Sequence, residues 1–276
     1  MDDDTPVGST PLPGGDRWSS GAAYEAYVGR WSRRVAVEFI DWLEVAPGQR
    51  WLDVGSGTGA LTQTVLARRD PRSVVGVDPS ATFVAHARTS VLDPRASFTM
   101  GSAAATGMPD ESVDVIVSGL VLNFVPDVAE ALTESRRVVA RGGVVAAYVW
   151  DYAEGMEFMR RFWNAAIELD PGARTLDEGR RFPITTPGPL GAAFTDAGLV
   201  DVSVVPITVP TAFADFDDLW LPFLGGTGAA PAYVATLSEP ARDALRERLR
   251  AAIPADADGS ILLAARAWAA RGRRPD

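Results

Sequence analysis

The chain has 276 residues, of which 47% are hydrophobic and 22% are charged, with a formal net charge of −10 and no cysteine. The absence of cysteine excludes disulfides, thiolate metal sites and thiol catalysis, and the acidic charge disfavours binding to DNA, RNA or anionic membranes. The apolar fraction is typical of a globular protein, and this length often forms a single elaborated domain. With no apolar run long enough to span a bilayer and no signal peptide, the sequence predicts a cytoplasmic protein that acts on a small molecule.

The amino-terminal region divides into a tail and a helical stretch. Residues 1–15 consist mainly of Asp, Pro, Gly, Ser and Thr, so they predict a disordered tail. Residues 16–46 carry apolar side chains at helical spacing, including Tyr24, Trp31 and Phe39, and they predict helices in front of the main fold.

The central feature is a glycine-rich turn between a strand and a helix. Residues Arg50–Val54 predict a buried strand, Gly55–Gly59 follow, and a second buried strand over Ser73–Val77 ends at Asp78. Glycines let the backbone approach a ligand, and the start of a helix offers free N–H groups. A carboxylate at the end of the second strand can accept hydrogen bonds from ribose hydroxyls, so the pattern predicts a nucleoside site.

Two cofactor classes fit this turn. Gly55, Gly57 and Ala60 match the G-x-G-x-x-G/A pattern of nicotinamide and flavin enzymes. Asp53 favours a different ligand, because its carboxylate would repel a pyrophosphate but would attract an ammonium group by roughly 1.5–3 kcal/mol. S-adenosylmethionine has a ribose, an ammonium, a sulfonium and no phosphate, so the charges fit it better.

Three blocks in this order resemble the class I S-adenosylmethionine-dependent methyltransferases, and within them the ubiquinone- and menaquinone-biosynthesis type. The blocks are Leu52–Gly59, Gly76–Ser80 and Arg137–Gly143, and the resemblance is good over residues 47–151. It implies an α/β, Rossmann-like seven-stranded sheet, with the last strand antiparallel between the fifth and sixth and with helical lid insertions. It also implies that S-adenosylmethionine contacts Asp53, Gly55, Ser56, Gly57, Asp78, Pro79, Ser102, Ala103, Ser118, Tyr24 and Trp31.

The remaining elements complete one methyltransferase domain over residues 16–276. Strands are predicted at Ala96–Met100, Val113–Ser118, Val144–Trp150, Val200–Val209 and Ser260–Trp268, the last within a final segment 258–270. Ser80 and Asp127 are predicted helix caps, and Gly142-Gly143 predicts a turn into the fifth strand. Residues 152–192 and 211–257 are predicted lid insertions. The lone His86 is predicted to be a surface residue.

Methyl transfer from a sulfonium needs mainly alignment and the exclusion of water, so the walls of the site carry the specificity. Aromatic residues suit a hydrophobic or aromatic acceptor, and those predicted to contact it are Phe124, Trp150, Phe158, Trp163, Trp220 and Phe223. The same rings could instead form a small core of the lid. Asp151 and Tyr152 are candidates for a base or a positioning group, and Asn123 for positioning alone. No residue spacing predicts a metal site.

Other functions stay open at this stage. An S-adenosylmethionine-binding cyclase or isomerase would not yield a product heavier by one methyl group, and a nicotinamide-dependent oxidoreductase would bind NAD. The acceptor molecule, the acceptor atom and the oligomeric state, a homodimer included, are not determined by the sequence.

Overall fold

The computed structural model describes residues 29–225 and 228–276. The strands are β1 (Arg50–Val54), β2 (Ser73–Asp78), β3 (Ala96–Met100), β4 (Val113–Gly119), β5 (Val139–Trp150), β6 (Val200–Phe213) and β7 (Ile261–Arg273). The α-helices of the described residues are α1 (Arg30–Trp42), α2 (Ala60–Arg69), α3 (Ala81–Ser90), α4 (Val128–Val138), α5 (Glu157–Leu169), α6 (Glu178–Arg181), α7 (Pro187–Asp196), α8 (Phe216–Trp220), α9 (Ala229–Thr236) and α10 (Glu239–Ala252).

The strands form one seven-stranded sheet in the order β3-β2-β1-β4-β5-β7-β6. The strands β1 to β5 pair in parallel, whereas β7 is antiparallel to both β5 and β6. The predicted fold class is therefore confirmed, including the antiparallel last strand between the fifth and the sixth.

The order of the strands places β1 and β4 side by side at the centre of the sheet, where the chain crosses from one half to the other. Asp53 in β1 lies opposite Gly76 in β2 and Val117 in β4. Parallel sheets bind ligands at the carboxyl ends of their strands near this crossover, so the glycine-rich turn after β1 lies at the expected position.

Local signals at the helix ends are confirmed. The Ser80 hydroxyl accepts a hydrogen bond from the Phe83 N–H at 3.4 Å, and the Asp127 carboxylate accepts one from the Glu130 N–H at 2.9 Å. Each side chain satisfies a backbone donor that has no partner within its own helix. His86 is exposed on α3, as predicted.

Three strands extend several residues beyond their predicted bounds. β5 begins at Val139 and contains Gly142, which has a φ of 67°, so the predicted turn at Gly142-Gly143 is wrong. The register between β4 and β5 shifts at this point, where extra residues of β5 are accommodated as a bulge. β6 continues to Phe213, and β7 continues to Arg273 instead of ending at Trp268, because the two strands pair along almost their whole length.

The segments predicted as lid insertions contain short helices that share one hydrophobic cluster with the sheet. This cluster includes Trp51 of β1, Phe39 of α1, Phe162 of α5 and Leu249 of α10. A second cluster, with Leu52, Ile116 and Phe194 among its members, fills the opposite face of the sheet. The lid segments thus pack on the same core as the cofactor-binding half of the domain.

Some predictions fall outside the described residues. They are the tail 1–15, the first part of the predicted cap helices, and the side chain of Tyr24. Within residues 29–225 and 228–276, no helix is both long enough and apolar enough to cross a membrane.

Candidate active site

The turn between β1 and α2 is fixed to the end of β2. The N–H groups of Gly55 and Ser56 donate to the Val77 carbonyl oxygen at 2.8 and 3.0 Å. The Gly57 N–H donates to Oδ2 of Asp78 at 2.9 Å, and the Ser80 N–H donates to Oδ1 at 2.8 Å. The two motifs found in the sequence therefore meet in space, and each Asp78 oxygen keeps a lone pair for a further donor.

Asp53 lies in β1, with its side chain against α2 and no exposed surface. Its Oδ2 accepts a hydrogen bond from the Thr62 hydroxyl at 2.7 Å, and its Oδ1 has no hydrogen-bond partner among the described residues. Burial raises the pKa of Asp53 to about 7, against the opposing effect of hydrogen bonds from the Thr62 hydroxyl and N–H, and the nearby Asp78 raises it further. The site thus contains a buried carboxyl group that has no counter-charge among residues 29–225 and 228–276.

The roof of the turn comes from the segment that follows β4. The Val121 side chain occupies the space beside Gly55, where a Cβ would lie 2.5 Å from Val121 Cγ2. Leu120 adopts a left-handed conformation with a φ of 62°, which is rare for a residue with a side chain, and its N–H donates to the Tyr148 carbonyl oxygen at 2.8 Å. At Gly57, in contrast, no atom of the described residues lies within 4 Å of the position that a Cβ would take, so this side of the turn is open.

The other residues predicted to contact the cofactor differ in burial and in hydrogen bonding. The Ser118 hydroxyl donates to the Val54 carbonyl oxygen at 2.9 Å and so joins β4 to β1. Ser102 is exposed and its hydroxyl accepts from the Ala105 N–H at 3.1 Å, within a tight turn that includes the half-buried Ala103. Ser56 is buried and its hydroxyl has no partner among the described residues, whereas Pro79 is exposed. The predicted cofactor contacts of these residues stay predictions.

Asn123 and Phe124 lie in a short 3₁₀ helix, Leu122–Phe124, after β4. Asn123 is buried, and its Nδ2 has no hydrogen-bond partner among the described residues. The Phe124 ring meets the edge of Phe182 with 5.7 Å between centroids, and Tyr152 lies 6.3 Å from the same ring. The structure therefore brings two of the predicted acceptor-side rings together around Phe182, a residue that the sequence analysis left without a role.

Asp151 is 2% exposed and both of its carboxylate oxygens are engaged. Oδ2 accepts from Nε of Arg266 at 2.7 Å and lies 2.6 Å from Nη2 of the same guanidinium. Oδ1 accepts from the Glu154 N–H at 3.0 Å. These contacts join the end of β5 to β7, and a role as a base would require the carboxylate to leave Arg266.

Most of the aromatic side chains predicted to contact the acceptor are packed against one another. Phe158 lies 5.2 Å from Trp31 and 6.0 Å from Phe223, and Trp220 lies 5.9 Å from Phe223. The Trp163 indole donates to the buried carboxylate of Glu178, and Trp150 is 1% exposed. These rings belong to the hydrophobic cluster that the predicted lid segments share with the sheet, and their contact with the acceptor stays a prediction.

Comparison with known proteins identifies the family. A family model described as a methyltransferase domain matches residues 52–147, which include the glycine-rich turn and Asp78. The demethylmenaquinone methyltransferase of Roseiflexus castenholzii is 31% identical over 168 residues, which cover 56% of this chain and 69% of that protein. The chain belongs to the class I S-adenosylmethionine-dependent methyltransferases.

Two further similarities extend over more of this methyltransferase. The trans-aconitate 2-methyltransferase of Variovorax paradoxus is 29% identical over 84% of this chain and 89% of its own length. A phosphoethanolamine N-methyltransferase of Haemonchus contortus, solved with S-adenosylhomocysteine, has a TM-score of 0.58 at 18% identity and covers 92% of this chain and 57% of its own. The matched region spans only about half the length of two other curated relatives, 51% and 43%.

The cofactor of the methyltransferase is S-adenosylmethionine, and the chemistry of the site suits it. The partnerless oxygen of Asp53 and the absence of an ion pair to Asp53 within the described residues fit a ligand that brings a positive charge. The open side of the turn at Gly57 and the remaining acceptor capacity of Asp78 fit a ribose. No group of three His, Asp or Glu side chains in residues 29–225 and 228–276 could hold a metal ion.

Sequence reasoning missed two residues of the site. Thr62, which donates to Asp53, could have been noticed as a polar residue between Leu61 and Val65 on the buried side of α2. Arg266, the partner of Asp151, gave no comparable signal, because an arginine in a strand is usually a solvated side chain.

Proposed function

We propose that this protein transfers the methyl group of S-adenosylmethionine to a small metabolite with a hydrophobic or aromatic surface. The observation that carries the proposal is the pair of acids around the glycine-rich turn. Asp53 is buried with no counter-charge in the part of the chain that the structure describes, and Asp78 is fixed by two backbone N–H groups. When bound, the cofactor supplies a methyl group that is already activated by the positive sulfur.

In this proposal Asp53 attracts the ammonium of the cofactor and Asp78 accepts hydrogen bonds from the ribose. Residues Leu120–Phe124 close the crevice from the side of β4, where the left-handed Leu120 directs the chain back toward β5. Closure excludes water and aligns the acceptor, which are the main contributions that an enzyme makes to an in-line displacement.

On the acceptor side, we assign Asn123 a positioning role. Its buried Nδ2 has no partner within the described residues, so it can donate a hydrogen bond to an acceptor oxygen without losing another bond. Phe124, the next residue, is one of three neighbouring rings, with Phe182 and Tyr152, that offer an aromatic surface. Two of the relatives are named for demethylmenaquinone and trans-aconitate, which supports a small-molecule acceptor.

Calorimetry with S-adenosylhomocysteine and with NAD tests the cofactor assignment. We expect S-adenosylhomocysteine to bind and NAD not to bind. Asp78→Asn should weaken binding about 10- to 100-fold, because it removes a charge-assisted hydrogen bond worth roughly 1.5–3 kcal/mol. Asp196→Asn, at an exposed aspartate of α7, is the matched control and should bind like the wild type.

Mass spectrometry over a panel of small aromatic and hydrophobic acceptors tests the reaction. A product heavier by one methyl group, formed together with S-adenosylhomocysteine, is the expected result. Binding of NAD in place of S-adenosylhomocysteine, or a converted product of unchanged mass, would contradict the proposal.

A further inference from the structure

Thr62 and Asp53 form a hydrogen-bonded pair that is completely shielded from solvent. Both residues have no exposed surface, and the distance from Thr62 Oγ1 to Asp53 Oδ2 is 2.7 Å. Thr62 lies in the first turn of α2, directly after the glycine-rich turn, so it is rigidly placed relative to the site. The bond fixes one carboxylate oxygen and leaves the other, Oδ1, without a partner among the described residues.

The groups around this pair determine whether the Asp53 carboxyl group is ionised. On β1 and α2, no basic side chain of the described residues forms an ion pair with it, and from β2 the acidic Asp78 faces it. On β4, the residue opposite Asp53 is Val117, which is apolar and brings no charge. Burial and Asp78 disfavour the ionised carboxylate, while the hydroxyl and N–H of Thr62 favour it.

We propose that Thr62 is a positioning residue that favours the ionised form of Asp53 and aims its free oxygen at the cofactor, and that cofactor binding completes this ionisation by releasing a proton from Asp53. The inference rests on the proposed function, because it takes the cofactor ammonium as the missing counter-charge. Thr62 acts through Asp53 and need not touch the cofactor.

The sign of the coupling follows from the raised pKa of Asp53. Below about pH 7 the carboxyl group is mostly protonated and neutral, so it does not attract an ammonium group. Above that pH it is ionised and the attraction is present in full. A bound cation stabilises the ionised form, so binding near neutral pH must expel a proton, and affinity must fall as the pH falls.

A purely structural role for Thr62 predicts something different. In that case its hydroxyl would only satisfy a buried acceptor in the core, and its loss would lower the stability of the fold. The pH dependence of cofactor affinity would then keep its midpoint. The pH midpoint of cofactor affinity, and not the affinity alone, therefore distinguishes a positioning role of Thr62 from a structural one.

The test is calorimetry of the full chain with S-adenosylhomocysteine between about pH 6 and pH 8, in two buffers of different ionisation enthalpy to count protons. Thr62→Val keeps the shape and removes the hydroxyl, whereas Thr62→Ser keeps the hydroxyl and is the matched control. We expect Thr62→Val to bind about tenfold more weakly at pH 7 and to shift the midpoint upward by about one pH unit. Thr62→Ser should stay within about threefold of the wild type at each pH.

Asp53→Asn provides a second variant that does not depend on the folding of Thr62→Val. The ammonium of the ligand titrates in every variant, so the difference in proton release between the wild type and Asp53→Asn isolates the contribution of Asp53. We expect the wild type to release more protons near pH 7 than Asp53→Asn does.

Equal proton release by these two proteins, or an unchanged midpoint in Thr62→Val, would overturn the inference and leave the proposed function intact. Failure of the wild type to bind S-adenosylhomocysteine at any pH would overturn both.

Discussion

Asp151 and Arg266 connect two parts of the chain that are 115 residues apart. The carboxylate is almost fully buried, and the guanidinium side chain is 29% exposed and lies over the Trp268 ring at 5.0 Å. A buried carboxylate that loses its cationic partner is strongly destabilised, because it keeps its desolvation cost without compensation. The surroundings of Asp151 thus favour a structural role for a residue that the sequence presented as a candidate base.

We predict that Asp151→Asn lowers the free energy of unfolding by about 1–3 kcal/mol, less than for a fully buried pair because Arg266 is partly exposed. Glu154→Gln is the matched control, since Glu154 also approaches Arg266, at 3.4 Å, but is 81% exposed. It should change stability by less than about 0.5 kcal/mol. Urea unfolding of Asp151→Asn, of Arg266→Gln and of the double variant measures the coupling energy between the two side chains. If Asp151→Asn kept its stability but lost methyl transfer, the result would contradict a structural role and support a catalytic role of Asp151.

Among individual residues, the sequence revealed Asp53 and Asp78 because a strand, a glycine-rich turn and an acid at the end of the next strand form a local pattern. It could not reveal what these acids contact. The partner of Asp53 depends on how α2 packs on β1, and the partner of Asp151 depends on the register of β5 against β7. Such contacts are set by tertiary structure and leave no periodic signal.

Among the helices, α1 is followed by a residue whose left-handed backbone is unfavourable for its side chain. Glu44, directly after the last helical turn, is exposed and has a φ of 51°. Helices often end with a left-handed residue at this position, and glycine is preferred there because a Cβ adds roughly 1–2 kcal/mol of strain.

Glu44→Gly should therefore raise the free energy of unfolding by about 0.5–1 kcal/mol, after the added flexibility of the unfolded chain is subtracted. Glu44→Ala removes the same carboxylate but keeps the Cβ, so it should bring no comparable gain. Thermal unfolding followed by circular dichroism compares the two variants. An equal gain from both would mean that the charge of Glu44, and not its backbone, is unfavourable.

The sequence predicted β1 and β3 with their observed bounds, because both are short apolar runs between clear turn signals. It failed at β5 and β7 for a physical reason. Gly142-Gly143 indicates a turn locally, but these residues lie in a bulge of β5, where the Gly142 N–H donates to the Arg274 carbonyl oxygen and the Gly143 carbonyl oxygen accepts from the Arg274 N–H. Arg271 and Arg273 resemble a polar tail, yet Arg271 lies 4.7 Å from the Trp42 ring and donates to the Trp42 carbonyl oxygen, which keeps β7 in place.

For the molecule as a whole, the important feature is that the segments predicted as a lid share one hydrophobic cluster with the sheet. Phe223 is fully buried and stacks on Phe162 with 4.4 Å between ring centroids, and both belong to the cluster that contains Trp51 of β1. A lid with a separate core could unfold alone, whereas a shared core makes the two parts cooperative.

Phe223→Ala is expected to lower the free energy of unfolding of the entire domain by about 3–5 kcal/mol. Tryptophan fluorescence and far-ultraviolet circular dichroism should then report one common transition. Leu221→Ala, in the same 3₁₀ helix but at a side chain that is 61% exposed, should have little effect. Two separate transitions in Phe223→Ala would show that the lid folds independently.

The position of β7 in the sheet affects how the chain can fold while it is being synthesised. Among the described strands β6 pairs only with β7, which begins at Ile261, long after β6 has ended at Phe213, and which also borders β5. While a ribosome is still making the residues between them, the parallel strands β1 to β5 can pair, but β6 has no strand to pair with, so its backbone N–H and C=O groups lack the hydrogen bonds that β7 supplies. A nascent chain that stops before residue 261 would therefore expose a long unpaired strand, which is prone to aggregation. We expect this fragment to need chaperones.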